Sequence, residues 1–474
     1  MSLNKKALAT AVAGALLAGN AYAANISTGG APAYFAREII ATPAAPVTLN
    51  TDSTAGVDAT ELSWNVGYNF SDGEVRYARV ECSGNFRFGT GLTVVSNDPG
   101  SVNFGSINGI GTNVLTFSVT SLGGANNVVA ADTFTITGDH QITGTSSDVV
   151  CNVALYDQPS QAQAGGTTGR IPNSLSAGPY LAFRDSYNFT STPFTATADV
   201  STDYLDFLAS GDTTAATAEL ASWVYDLVDP DAAGPQTAPY DIDGSAITLA
   251  DLMATGATGT RIVVSGDFSY ATSAFLSSGG NCATPIAGMT ATITGGNTAT
   301  FNVGATALPA GTSFCVTRNG TTAIPVTDYT AQLIAVSAAP TTYAVTNRGP
   351  HASGSIVRNG TELQAPLVQL PSGYLSRIML TNTGSVARNY RIRVIGETGN
   401  VISTNAANMS GTIPANGSRF FETNTFITGF SAGTRATVII TVDAPTNQIQ
   451  GLYQIVNPAN GSISNHVMVR PGTN

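Results

Sequence analysis

Apolar and polar residues alternate along this chain in many short runs, each closed by a cluster of small turn-forming residues. The run Glu74–Cys82 alternates strictly between Ser71-Asp72-Gly73 and Ser83-Gly84-Asn85, the pattern of a half-buried strand between two turns. It predicts Val75 and Tyr77 on one side, with Glu74, Arg76 and Ala78 on the other. Leu62–Tyr68, Val114–Val119, Thr133–Thr137, Val149–Leu155 and Tyr180–Phe183 repeat the grammar, and together they predict a β-sandwich over residues 24–198. The stretch Ala24–Ala41 reads as its first strand, with an arm that pairs with a neighbouring subunit as the alternative.

A second region, 199–345, opens on Tyr204–Leu208 and Ala218–Leu227, where periodicity leaves helix and strand open. Strand patterns return at Arg261–Ser265, Thr290–Thr294, Thr298–Val303, Ser313–Thr317 and Ala331–Val336. In the third region, 346–474, Tyr374–Thr381 and Arg388–Ile395 flank Asn382-Thr383-Gly384-Ser385 and predict a hairpin, with Arg388, Arg391 and Arg393 near its solvent side or edges. Thr437–Val442 and Ile449–Val456 add further strands, six or seven in all. The fold class expected is all-β: about three tandem Ig-like β-sandwich domains.

The segment 1–23 stands apart. Lys5 and Lys6 precede an apolar stretch from Ala7 to Gly19, too short to span a bilayer, and Ala21-Tyr22-Ala23 offers a cleavage site. This reads as a signal peptide, so a secreted, extracellular or cell-surface location follows, with no membrane span after processing. In an exported chain an even number of cysteines predicts disulfides. Of the three pairings open to Cys82, Cys151, Cys282 and Cys315, Cys82 with Cys151 and Cys282 with Cys315 keep each bridge inside one expected domain.

Charge changes the picture further. Lysine is absent after Lys6, which leaves 17 Arg against 30 acidic residues and sets aside nucleic acid and anionic lipid as partners. The balance is uneven: residues 24–345 hold 8 Arg and 26 acidic residues, and residues 346–474 hold 9 Arg and 4. Complementary ends suggest head-to-tail self-association into a filament or lattice. The same asymmetry is also open to simple balancing within one molecule, or to binding a cell-surface polysaccharide.

Candidate chemistry is sparse. Three isolated histidines, no G-x-S-x-G elbow and no P-loop lysine give no catalytic signal. Trp64 and Trp223 lie in apolar runs and read as core. Between Asp199 and Asp251 stand 11 acidic residues and no Arg, with Asp229, Asp231, Asp241 and Asp243 in Asp-x-Asp arrangements that suggest bound Ca²⁺.

The stretch SRIMLTNTGSVARNYRIRVIGETGN, followed by GTIPANGS, resembles β-sandwich modules of secreted bacterial surface proteins of the surface-layer or extracellular-filament type. The resemblance implies a non-enzymatic structural subunit of an extracellular assembly. A secreted adhesin or glycan-binding protein is the alternative.

Overall fold

A computed structural model describes residues 23–470, apart from 28–29, 50–60, 124–126, 203, 233, 235 and 371. The expected signal peptide lies outside the described residues save for Ala23. Strands dominate, and they group into three successive units.

In the first unit, Val75–Cys82 is central to a six-stranded sheet ordered Ala33–Ala36, Ser176–Arg184, Val149–Tyr156, Val75–Cys82, Val114–Ser121, Val102–Phe104. Against it pack Ala23–Asn25, Glu61–Asn65, Thr133–Thr137 and Thr93–Ser96, with a small third sheet of Val47–Leu49, His140–Ile142 and Phe86–Phe88. Phe104 bridges the two larger layers, its ring 6.0 Å from Phe117 and 4.9 Å from Phe134. On Val75–Cys82 the side that bears Ala78 is the one that meets the core: Ala78, Val80 and Cys82 are buried in the sandwich. Tyr77 packs instead on Ala154, Tyr156 and Ala162 beneath the short helix Pro159–Ala164. A strand with some cover on each face does not reveal from alternation which parity meets the core. The N-terminal stretch is no arm to a neighbour, because Ala33–Ala36 pairs in parallel with Leu181–Arg184 of the same chain.

The second unit sets Tyr187–Pro193, Thr217–Leu227, Leu308–Arg318, Ala271–Ser277 and Pro285–Thr290 against Thr195–Ala198, Arg348–Arg358, Thr327–Ile334, Arg261–Ser265, Thr298–Phe301 and Thr292–Thr294. The ambiguous Ala218–Leu227 is therefore strand. Trp223 is fully buried between the layers, stacked on Phe314 at 4.8 Å and edge-on to Phe301 at 5.5 Å, and its Nε1 donates to Ser353 Oγ at 2.6 Å. Gly354, at φ +107°, lets its strand cross close over the neighbouring sheet; a β-carbon there would stand 2.4 Å from the Leu220 carbonyl oxygen.

The borders expected at 198/199 and 345/346 both fall elsewhere. Tyr187–Pro193 and Thr195–Ala198 belong to the second unit's two sheets, and so does all of Arg348–Arg358. Thr195–Ala198, the second strand of this unit, runs parallel to Ser355–Arg358 of its last. One apolar core continues from Ile26 to Ile356 through both units.

The third unit has its own core. Thr361–Gln369, Arg435–Val442, Arg388–Gly396 and Ser410–Ile413 form one layer, and Gly417–Glu422, Leu375–Asn382, Ile449–Val456 and Ile463–Val467 the other. The expected hairpin is not formed. Leu375–Asn382 and Arg388–Gly396 lie in opposite sheets, joined by an arch that Asn382 holds, its Nδ2 donating to the Val386 and Pro414 carbonyls and its Oδ1 accepting from Gly384 N.

Candidate assembly surface

The two predicted disulfides are present. Cys82–Cys151 ties two adjacent strands at directly paired positions, and Cys282–Cys315 fixes the loop after Ala271–Ser277 to Leu308–Arg318.

Where the first two units meet, a charged cluster surrounds one buried carboxylate. Glu38 is 5% exposed and accepts from Ser186 N and, at 2.7 Å, from Ser186 Oγ. Burial raises its carboxyl above the ordinary value, against the opposing effect of the serine. Arg348 stands 3.7 Å from Glu38 and 3.4 Å from Asp185, with its guanidinium over the Tyr187 ring. Arg37 pairs with Asp185 at 3.0 Å. Arg348, counted with the basic end in sequence, is thus used inside the molecule.

Three of the four aspartates expected at a calcium site accept hydrogen bonds within the protein. Asp229 Oδ1 accepts from Asp231 N, and Asp243 Oδ1 accepts from Ser245 N and Oγ. Both oxygens of Asp241 lie within 2.7 Å of Tyr343 Oη, the hydroxyl donating. Burial, then this carboxylate, raises the Tyr343 phenol far above its ordinary value. Among the described residues, no group of three or more His, Cys, Asp or Glu side chains stands close enough to hold a metal ion. Asp-x-Asp-Gly is a turn signal as well as a ligand pattern, and Asp243 here closes its own turn.

Of the three candidate interface arginines, Arg391 and Arg393 point outward, whereas Arg388 is 8% exposed and shares the inward parity of Tyr390 and Ile392. A spacing of three cannot place two strand residues on one face. Arg388 and Arg391, together with Arg358, lower the carboxyl of Asp443, which burial more strongly raises.

The acidic side also has a concave element that spacing did not disclose. Asp212, on the turn closed by Ser210 and Thr213, and Glu219 line a cavity of about 370 Å³ beside exposed Phe194. Burial raises Glu219 and Asp212 adds to it, while Ser313 Oγ donates to the carboxylate and opposes them. No helix among the described residues is long and apolar enough to cross a membrane.

A family model described as "S-layer protein Slr4" matches residues 83–457, which covers most of all three units. The chain belongs to the S-layer protein Slr4 family. As a member of the Slr4 family it is a structural subunit of a surface assembly, and a secreted or cell-surface protein. No curated protein matches it in sequence. Solved structures similar to this Slr4-family chain include the major pilin subunit BcpA of Bacillus cereus, at 8% identity and TM-score 0.24, covering 83% of this chain and 96% of that one. The pilus backbone RrgB of Streptococcus pneumoniae matches at 9% identity and TM-score 0.14, covering 90% and 93%. The C-terminal domain of the Streptococcus agalactiae polypeptide BspA matches at 7% and 0.20, covering 66% and 99%.

Proposed function

We propose that this protein is a self-associating surface-layer subunit in which the basic third unit of one copy meets the acidic first two units of the next. The observation that carries the reading is the charge partition, which persists when the borders are drawn along the sheets. Residues 24–360 hold 10 Arg and 26 acidic residues, a net of −16; residues 361–474 hold 7 Arg and 4 acidic residues, a net of +3. Contact between two different surfaces of one chain leaves a free surface at each end, and where the rotation between copies does not close a ring it extends into filaments or sheets. Opposite potentials steer and orient that contact.

Outward Arg391 and Arg393 are the first candidates on the basic side. Sedimentation and negative-stain microscopy of the pure chain test the reading. Ordered assemblies are expected at low ionic strength, weakening as salt rises to about 0.5 M, where the screening length falls to a few ångströms. A monomer that keeps one hydrodynamic size at every salt and protein concentration overturns it.

A further inference from the structure

In the third unit, the sheet of Gly417–Glu422, Leu375–Asn382, Ile449–Val456 and Ile463–Val467 turns one face to the core and the other outward. Its registers align on the outer face. Met379 stands opposite Phe420 on one side and Leu452 on the other, and Leu452 stands opposite Val467. Directly opposed residues share a face, so these four apolar side chains form one row across the whole sheet. Phe420 is 46% and Val467 78% exposed, while Met379 and Leu452 are half-buried.

The neighbouring rows are polar: Ser418, Thr381 and Gln450 on one side, and Glu422, Arg377, Gln454 and Asn465 on the other. The Arg377 guanidinium lies over the Phe420 ring, 4.9 Å from its centroid. A cavity of about 660 Å³ opens along the row, lined by Met379, Leu452 and Val467 and reaching Arg470.

An apolar strip bordered by polar rows has the anatomy of an interface core and its rim. We propose that this outer face is a docking surface for a second copy of this chain. Charge selects the occupant: the unit that bears the face is net positive, and the remainder of any second copy offers a strongly negative surface. The apolar row supplies adhesion at contact, and the charges supply approach and orientation. This rests on the self-association proposed above and deepens it by naming the contact face.

The test uses the full chain with Val467→Asp and Phe420→Ser, singly and together, and with Val401→Asp as a control at a 71% exposed position outside this sheet. Circular dichroism melts verify folding, and Val467→Asp, at an exposed edge, keeps the test open if Phe420→Ser unfolds. Sedimentation against concentration is expected to show the threshold for assembly raised at least about tenfold by the face variants, equivalent to about 1.4 kcal/mol, and unchanged in Val401→Asp. Face variants that assemble at the wild-type threshold, while salt still disperses the wild type, overturn the docking face and leave the charge reading standing. Assembly that responds to the face variants but not to salt does the reverse. A wild type that never assembles, or one whose face variants lose binding to isolated cell envelopes alone, overturns the second copy as the occupant.

Discussion

Glu38 and Ser186 are joined by both serine donors at the seam between the first two units, and each is buried there. The contact closes between segments 148 residues apart, so it reports whether the two units are docked. Glu38→Ala leaves the Ser186 donors buried without their acceptor and is expected to cost about 2–3 kcal/mol, the worth of hydrogen bonds to a charged group. Urea unfolding measures the loss, and limited proteolysis near Asp185 reports opening of the seam. Because burial raises Glu38, the folded state holds its proton more tightly than the unfolded state. Its share of stability is therefore full below the ordinary carboxyl value and declines as pH rises through the raised value. Glu38→Gln is expected to lack that decline.

His140 provides a second pH dependence of opposite slope. It is fully buried against Phe86, Phe88 and Tyr180, its Nδ1 bonded to the Tyr180 hydroxyl and its Nε2 without a hydrogen-bond partner. Burial pushes it down to about 3 from 6.5. Between those values the unfolded state binds the proton and the folded state does not, so stability falls as pH drops below 6.5, by up to about 1.4 kcal/mol per pH unit. Thermal melts from pH 7 to 4 are expected to show this slope in the wild type and to lack it in His140→Phe. That variant is expected to be less stable at pH 7, where the buried imidazole–hydroxyl bond to Tyr180 is lost.

The two disulfides are expected to differ in weight. Cys82–Cys151 spans 69 residues and Cys282–Cys315 spans 33, which the chain-entropy model converts to about 4.4 and about 3.7 kcal/mol respectively. Paired Cys→Ala variants compared by guanidinium unfolding should rank in that order. Equal costs, or the reverse order, would show that native packing at the bridge outweighs loop length.

Trp223 anchors the second sandwich. Trp223→Ala is expected to cost about 3–5 kcal/mol through the cavity it leaves, and Ser353→Ala about 1–3 kcal/mol by stranding the buried Nε1–H. Fluorescence-detected denaturation suits Ser353→Ala, in which both tryptophans remain.

On the electrical reading, Arg391→Gln with Arg393→Gln is expected to lower assembly at low salt and to flatten its salt dependence, with little change in melting temperature because both side chains are exposed. Light scattering against ionic strength measures it.

The all-β class, the positions of most strands and the cysteine pairing were legible because each rests on local alternation or on keeping a bridge inside one unit. The unit borders were not, because Tyr187–Pro193 and Thr195–Ala198 are separated by Phe194 alone yet enter different sheets, with no change in composition to mark the switch. The arch at Asn382 read as a hairpin for a similar reason: its turn residues suit either, and only long-range pairing decides. Arg388 follows period two inward, a result available from its distance to Arg391. The row Phe420, Met379, Leu452, Val467 was hidden because its members lie on four strands, and only register aligns them.

The parallel pairing of an early strand with the last strand of each of the first two sandwiches, Ala33–Ala36 beside Leu181–Arg184 and Thr195–Ala198 beside Ser355–Arg358, has a mechanical meaning. Tension carried from the start of the earlier strand to the end of the last slides the two past one another, so the rungs between them are stressed together instead of peeling in turn. A coat stitched from such subunits meets stretch with the first two sandwiches each clamped, near the start, to the strand by which the polypeptide leaves it.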